Sequence, residues 1–146
     1  MMSDYNQQLA SANFVQEARV YYDNTDAGGV VYHAQYLNFM ERCRSDWLAE
    51  HGLGVAVLQQ QHSVVIVVNE VTVKYHAPAR LADDLIVTCK MLQVGKIAMK
   101  MQQAIYNEGK LLCSATIKLA TLDTTSFTLS RMPNALRDHF NQALSN

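Results

Sequence analysis

One stretch of this sequence limits the fold more than any other. Between residues 32 and 51, Tyr36, Met40, Cys43 and Trp47 recur at spacings of four, three and four, with Leu37, Arg44 and Leu48 alongside. That is the helical period, and it predicts one amphipathic helix of about four turns. Asn38, Arg42, Ser45, Asp46 and Ala49 fall away from the stripe, with Arg42 and Asp46 placed for an i,i+4 pair. Gly52 follows as a natural stop, since a helix commonly ends on a left-handed residue.

After that helix the period changes to two. Residues 63–75 open as a β-branched run and then alternate Val71, Val73 and Tyr75 against Glu70, Thr72 and Lys74. Residues 85–92, 97–106 and 111–121 alternate likewise, separated by Val94-Gly95-Lys96 and Asn107-Glu108-Gly109-Lys110. Residues 14–22 predict one strand ahead of the helix, with Ala18, Val20 and Tyr22 on one side. Residues 133–144 predict a short terminal helix carrying Leu136, Phe140 and Leu144. Strands joined by short turns are antiparallel, and such a sheet needs one face covered. The expectation is an α+β fold in which a curled antiparallel sheet wraps around one long central helix. Nothing resembles a linker, so residues 1–146 read as a single domain with a loose start over 1–12.

Composition removes several function classes. Twelve basic residues against 13 acidic ones give a net charge of −1, too little for nucleic-acid binding. The longest apolar run, Val64 to Val68, is far short of a membrane span. The polar N-terminus does not read as a signal peptide. Cys43, Cys89 and Cys113 show no paired spacing, so neither a disulfide framework nor a zinc site is indicated, and a reducing, cytoplasmic setting fits. Charged residues are only 17% of the chain, and a long apolar edge strand is a liability alone. Both observations point to a homo-oligomer built by pairing edges in a two-fold dimer.

Chemistry concentrates in residues 21–36, YYDNTDAGGVVYHAQY, where the first strand runs into the helix. Asp23 and Asp26 precede Gly28-Gly29, and Val30-Val31 leads to Tyr32-His33 at the helix start. Glycines let a backbone approach a ligand closely. A helix N-terminus offers unpaired N–H groups and partial positive charge. A carboxylate and such a terminus facing one space are the minimum for attack on a carbonyl. The residues alone leave the plainer reading open, in which Asp26 only satisfies loop amides and Asp23 caps the loop. There is no G-x-S-x-G elbow and no phosphate-binding Gly-rich loop. The histidines show no metal spacing, and Cys43 lies too far from the helix start to be an activated thiolate.

Asn24-Thr25-Asp26-Ala27-Gly28-Gly29-Val30-Val31-Tyr32-His33, then Tyr36 and Glu41-Arg42, resembles the signature of the YbgC-type branch of the 4-hydroxybenzoyl-CoA thioesterase family, which has the hotdog fold. Tyr75-His76-Ala77-Pro78-Ala79-Arg80 resembles the family's Y-x-A-P-A-R stretch, and the likeness runs over about residues 14 to 132. Asn24 departs mildly, standing where relatives often carry an acid. The resemblance implies hydrolysis of an acyl-CoA thioester without metal or cofactor, in a homodimer or homotetramer. It places the catalytic carboxylate on Asp26 and the carbonyl-polarising donor on the backbone N–H of His33. Substrate contacts then fall to Gly28, Gly29, Val30, Tyr32 and Glu41. It also implies an association with the Tol-Pal envelope system.

Glu41 is the rival carboxylate, because a related hotdog branch uses a helix acid; its plain reading is an i,i+3 partner for Arg44. Arg80, Lys74, Lys96 and Lys100 are the cations on hand for coenzyme A phosphates. Acyl carrier protein is the alternative carrier. A third reading is a protein that binds acyl-CoA for envelope partners without turnover.

Overall fold

The computed structural model describes residues 3–146. Five strands form one antiparallel sheet in the order β1-β3-β4-β5-β2: β1 is Phe14–Arg19, β2 Val64–Tyr75, β3 Asp84–Val94, β4 Ala98–Asn107 and β5 Lys110–Asp123. The long helix, α2 (Gln35–Glu50), lies in the hollow of the sheet and packs on β3, β1 and β4. Its buried residues are Tyr36, Phe39, Met40, Cys43, Trp47 and Leu48, the stripe that the sequence period predicts. They meet Val87, Cys89, Met91, Met101, Ile105 and Ile117 in one core. Fully burying a side chain of this size is worth about 1.5–3 kcal/mol. The terminal helix, α4 (Asn134–Ser145), closes the core from the β3 side with Leu136 and Phe140, whose ring lies 5.9 Å from Trp47.

The end of α2 follows from Gly52. Its φ of 72° turns the chain left-handed, so Gly52 N–H reaches Ala49 O and Leu53 N–H reaches Leu48 O. The chain then enters a helix that the sequence reading does not include, α3 (Val55–His62). Only Leu58 of α3 is buried, so its apolar content does not repeat at helical period. The start of the chain also differs from a loose segment. Asp4–Ser11 forms α1, capped by Ser3 Oγ, and lays Tyr5 edge-on to Tyr106 on the outer face of the sheet. Residues 1 and 2 of the expected loose start lie outside the described residues.

The first strand stops at Arg19, short of residue 22; Val20 stays buried while Tyr21 and Tyr22 turn out to solvent. The expected pairs on α2 also resolve differently. Asp46 takes the side-chain amide of Gln16, and no Arg42–Asp46 ion pair forms among the described residues. Arg44 reaches across to Gln103 Oε1 at 2.9 Å instead of pairing with Glu41. Gln103 is fully buried on the core face of β4, and its Nε2 donates to Met40 O and Thr88 O. A buried amide is tolerable only when its donors and acceptor are used, and here they are.

β2 is 12 residues long, pairs as a strand only with β5 among the described residues, and forms one edge of the sheet. Val68 and Tyr75 on it are about half exposed. No helix among the described residues is long and apolar enough to cross a membrane.

Candidate active site

The segment joining β1 to α2 folds back on itself. Thr25 and Val31 face each other in an antiparallel bridge, Asp26 N–H donates to Val30 O at 2.9 Å, and Gly29 N–H donates to Asp26 O. Asp26 through Val30 is therefore the tip of a small hairpin whose return limb leads straight into the helix. Gly29 supplies the turn with a φ of +77°. Asn24 anchors the base. It is buried, its Oδ1 accepts Tyr21 N–H, its carbonyl accepts Tyr32 N–H, and its Nδ2 donates to Gln35 Oε1. The capping role expected of Asp23 thus falls to Asn24. A carboxylate at 24 has no N–H for Gln35, which gives the departure from the family pattern a structural meaning.

Asp26 is exposed at the hairpin tip. Its Oδ1 accepts Gly28 N–H at 2.8 Å, and Oδ2 has no protein partner among the described residues. The turn fixes one carboxylate oxygen and leaves the other open to solvent or ligand. Gly28 keeps this contact uncrowded, because a Cβ at 28 would lie 3.2 Å from Asp26 Oδ1.

Gln35 N–H donates to Tyr32 O at 2.8 Å, closing a turn through His33 and Ala34 at the start of α2. Among the described residues the backbone N–H groups of His33 and Ala34 donate to nothing. Two orphan donors at the positive end of a helix suit an anionic oxygen. The imidazole of His33 is exposed and stacks on Tyr32 at 4.3 Å.

A third segment, the connection after β2, clamps this region. Val31 N–H donates to Ala79 O, Ala79 N–H to Tyr36 Oη, and Arg80 bridges Val30. Tyr75 Oη donates to His33 O at 2.9 Å, and its ring meets Tyr36 edge-on at 5.4 Å. Burial pushes the phenol pKa of both tyrosines up, so both keep their protons at neutral pH. The two sequence stretches that resemble one family are thus in direct contact. The role of Tyr75 is not legible from its own neighbourhood, because its partner lies 42 residues away.

Of the residues singled out from sequence, the structure gathers Asp26, Gly28, Gly29, Val30, Tyr32 and His33 into the hairpin and helix start. It does not bring Glu41 to them within one chain. Glu41 lies two turns along α2, accepts Ser45 Oγ at 3.1 Å, and lines a cavity of about 180 Å³ with Arg44, Ser45, Leu48, Leu58, Ile66 and Met101. Among the cations, Arg80 sits beside the hairpin, whereas Lys74 faces the outer groove with His76 and Lys90. All three thiols are buried. Desolvation pushes Cys43 up to about 12 and Cys113 to about 11, which removes thiolate chemistry from this site. No cluster of metal-ligating side chains occurs among the described residues.

Comparison with known proteins gives the family. Residues 20–140 match the model of the thioesterase-like superfamily. The chain is 37% identical over 125 residues to the acyl-CoA thioester hydrolase YbgC of Escherichia coli O6:H1, covering 85% of this chain and 92% of that one. It is 36% identical over 105 residues to the acyl-CoA thioesterase YbgC of Haemophilus influenzae, covering 72% and 77%. Among solved structures, a probable thioesterase from Bartonella henselae superposes with a TM-score of 0.78 at 29% identity, over 82% of this chain and 98% of that one.

Proposed function

The chain belongs to the thioesterase-like superfamily, in its YbgC-type branch with the hotdog fold, and from that footing we propose that it hydrolyses acyl-CoA thioesters to the free acid and coenzyme A, with Asp26 as the catalytic carboxylate. The observation that carries this reading is the tip of the hairpin. One oxygen of Asp26 is pinned by Gly28 while the other is free, on a loop bonded directly to a helix start with two unused N–H groups.

The chemistry needs little more. A thioester carbonyl has weak resonance stabilisation. A positioned carboxylate and preorganised N–H donors supply the nucleophilic step and hold the charge that develops on oxygen. Two routes fit. Asp26 Oδ2 attacks the carbonyl carbon, the C–S bond breaks, coenzyme A leaves as a thiolate that takes up a proton, and water cleaves the mixed anhydride. Alternatively, Asp26 takes a proton from water, hydroxide attacks, and the same C–S bond breaks. In both, the backbone N–H of His33 meets the carbonyl oxygen, while Gly28, Gly29, Val30 and Tyr32 line the approach. Arg80, exposed beside Val30, is the cation assigned to the coenzyme A phosphates.

The working unit in this reading is a homodimer, or a tetramer of two such dimers, formed along the free edge of β2. The edge is long, apolar and unpaired in one chain, which is the kind that protein chains cover. Such pairing also puts the cavity beside Glu41, walled by Val65, Ile66 and Val68 of β2, at the subunit boundary.

The test is release of free thiol from a panel of acyl-CoA esters of rising length, including aromatic and hydroxylated acyl groups, with the same chains on acyl carrier protein as a second arm. Turnover of at least one acyl-CoA supports the reading. Turnover only on the protein carrier moves the substrate to acyl carrier protein. Tight acyl-CoA binding with no turnover of either replaces the enzyme with a binding protein.

A further inference from the structure

We infer that Tyr75 is a positioning residue for the thioester site: its hydroxyl fixes the peptide between His33 and Ala34, so that Ala34 N–H is held as a second donor to the substrate carbonyl beside His33 N–H. This rests on the thioesterase reading above and adds a residue to it.

The carbonyl of His33 and the N–H of Ala34 are opposite ends of the same peptide plane. Tyr75 Oη donates to that carbonyl at 2.9 Å, and Ala34 N–H donates to nothing among the described residues. A hydrogen bond at the oxygen of an amide polarises the bond and strengthens the N–H as a donor. It also stops the plane from rotating, and an oxyanion donor works only when held in advance.

The bond is also placed where a mere staple gains little. Tyr75 ends β2 and is half exposed, so its hydroxyl has water on hand, yet it reaches across 42 residues to His33. The ring is held edge-on by Tyr36, which is only 3% exposed and whose own hydroxyl accepts Ala79 N–H. Tyr36 therefore carries the structural part of the pair, and the Tyr75 hydroxyl is left to hold the helix start.

Tyr75→Phe removes the hydroxyl and keeps the ring contact. The expected result is a loss of about tenfold in kcat with KM and melting temperature close to wild type, less than the on-the-order-of 10²–10³ lost when an oxyanion donor is deleted outright. A wild-type kcat in Tyr75→Phe, beside an inactive Asp26→Asn, overturns this inference and leaves the thioesterase reading standing. Loss of the alkaline limb of the pH–rate profile in Tyr75→Phe also overturns it, because Tyr75 is then a proton donor.

A readout without turnover uses an acyl-CoA analogue with CH2 in place of the thioester sulfur. In wild type its binding is expected to shift the amide resonances of His33 and Ala34, and in Tyr75→Phe the Ala34 shift is expected to shrink. Equal shifts in the two proteins overturn the inference. Saturation of wild type with the analogue that leaves both amides unmoved also overturns the inference, while the thioesterase reading stands or falls on the turnover panel.

Discussion

The backbone N–H of Gly28 donates to Oδ1 of Asp26 at 2.8 Å, and a Cβ on residue 28 would stand 3.2 Å from that oxygen. A side chain on residue 28 therefore crowds the carboxylate that its own N–H holds. Gly28→Ala pushes the Asp26 carboxylate by a few tenths of an ångström while leaving the core untouched. Since about 1 Å of misplacement can cost 10²-fold, a fall of about tenfold in kcat is expected with an unchanged far-ultraviolet spectrum. Steady-state kinetics beside a thermal melt checks it; wild-type turnover shows that the carboxylate need not sit where Gly28 holds it.

Arg44, half-buried, and the fully buried Gln103 make a polar tie between α2 and β4. Removing one member leaves the other unsatisfied, which costs about 1–3 kcal/mol. Arg44→Met and Gln103→Leu are each expected to lower stability by that amount. The double variant is expected to lose less than the two losses added together. A double-mutant cycle from urea unfolding measures the coupling, and strict additivity contradicts the tie.

His139 is packed against Trp47, Phe140 and His51, whose ring is 4.4 Å away, and its Nε2 is buried without a partner among the described residues. Burial, with the neighbouring His51, lowers its pKa to about 4 from 6.5. Between those two pH values the unfolded chain holds the proton and the folded chain does not, so acid favours unfolding. Stability is expected to fall as pH drops from about 6.5 to about 4 and then to level off in this contribution. Urea midpoints across that range check it. His139→Phe is expected to flatten the slope, and an unchanged slope assigns the acid sensitivity elsewhere.

Sedimentation equilibrium checks the pairing of β2 edges. Wild type is expected at twice or four times the 16.4 kDa chain mass. Val68→Lys, a charge placed on the half-exposed edge, is expected to shift it toward monomer. A monomeric wild type that turns over substrate contradicts a site completed by a second copy.

The sequence is most readable where one period repeats without interruption. Tyr36, Met40, Cys43 and Trp47 are buried as their spacing requires, and the long strands form where they read, although the alternation lapses at residues 103–106 of β4 and 119–121 of β5, where successive residues are buried. α3 escapes because it is only eight residues long and its one buried leucine makes no stripe. α1 escapes because none of its residues is buried and its stability comes from a cap. In the candidate site, the Asp26 hairpin is local and shows in the order of Asp, Gly and Val. The clamp from Tyr75, Ala79 and Arg80 is a long-range contact, so spacing alone carries no trace of it. Gln103 is the same case: an amide on a core face has meaning only once Arg44 is found across from it.

The most direct measurement is the turnover of Asp26→Asn on the best acyl-CoA substrate of the wild type. Asparagine keeps the size of the side chain and an oxygen for Gly28 N–H, and removes the negative charge that both routes need. The account predicts a folded protein of wild-type melting temperature that binds acyl-CoA and has lost on the order of 10²–10⁴ in kcat, the range for a positioned catalytic group. A folded Asp26→Asn that releases coenzyme A at close to the wild-type rate contradicts it.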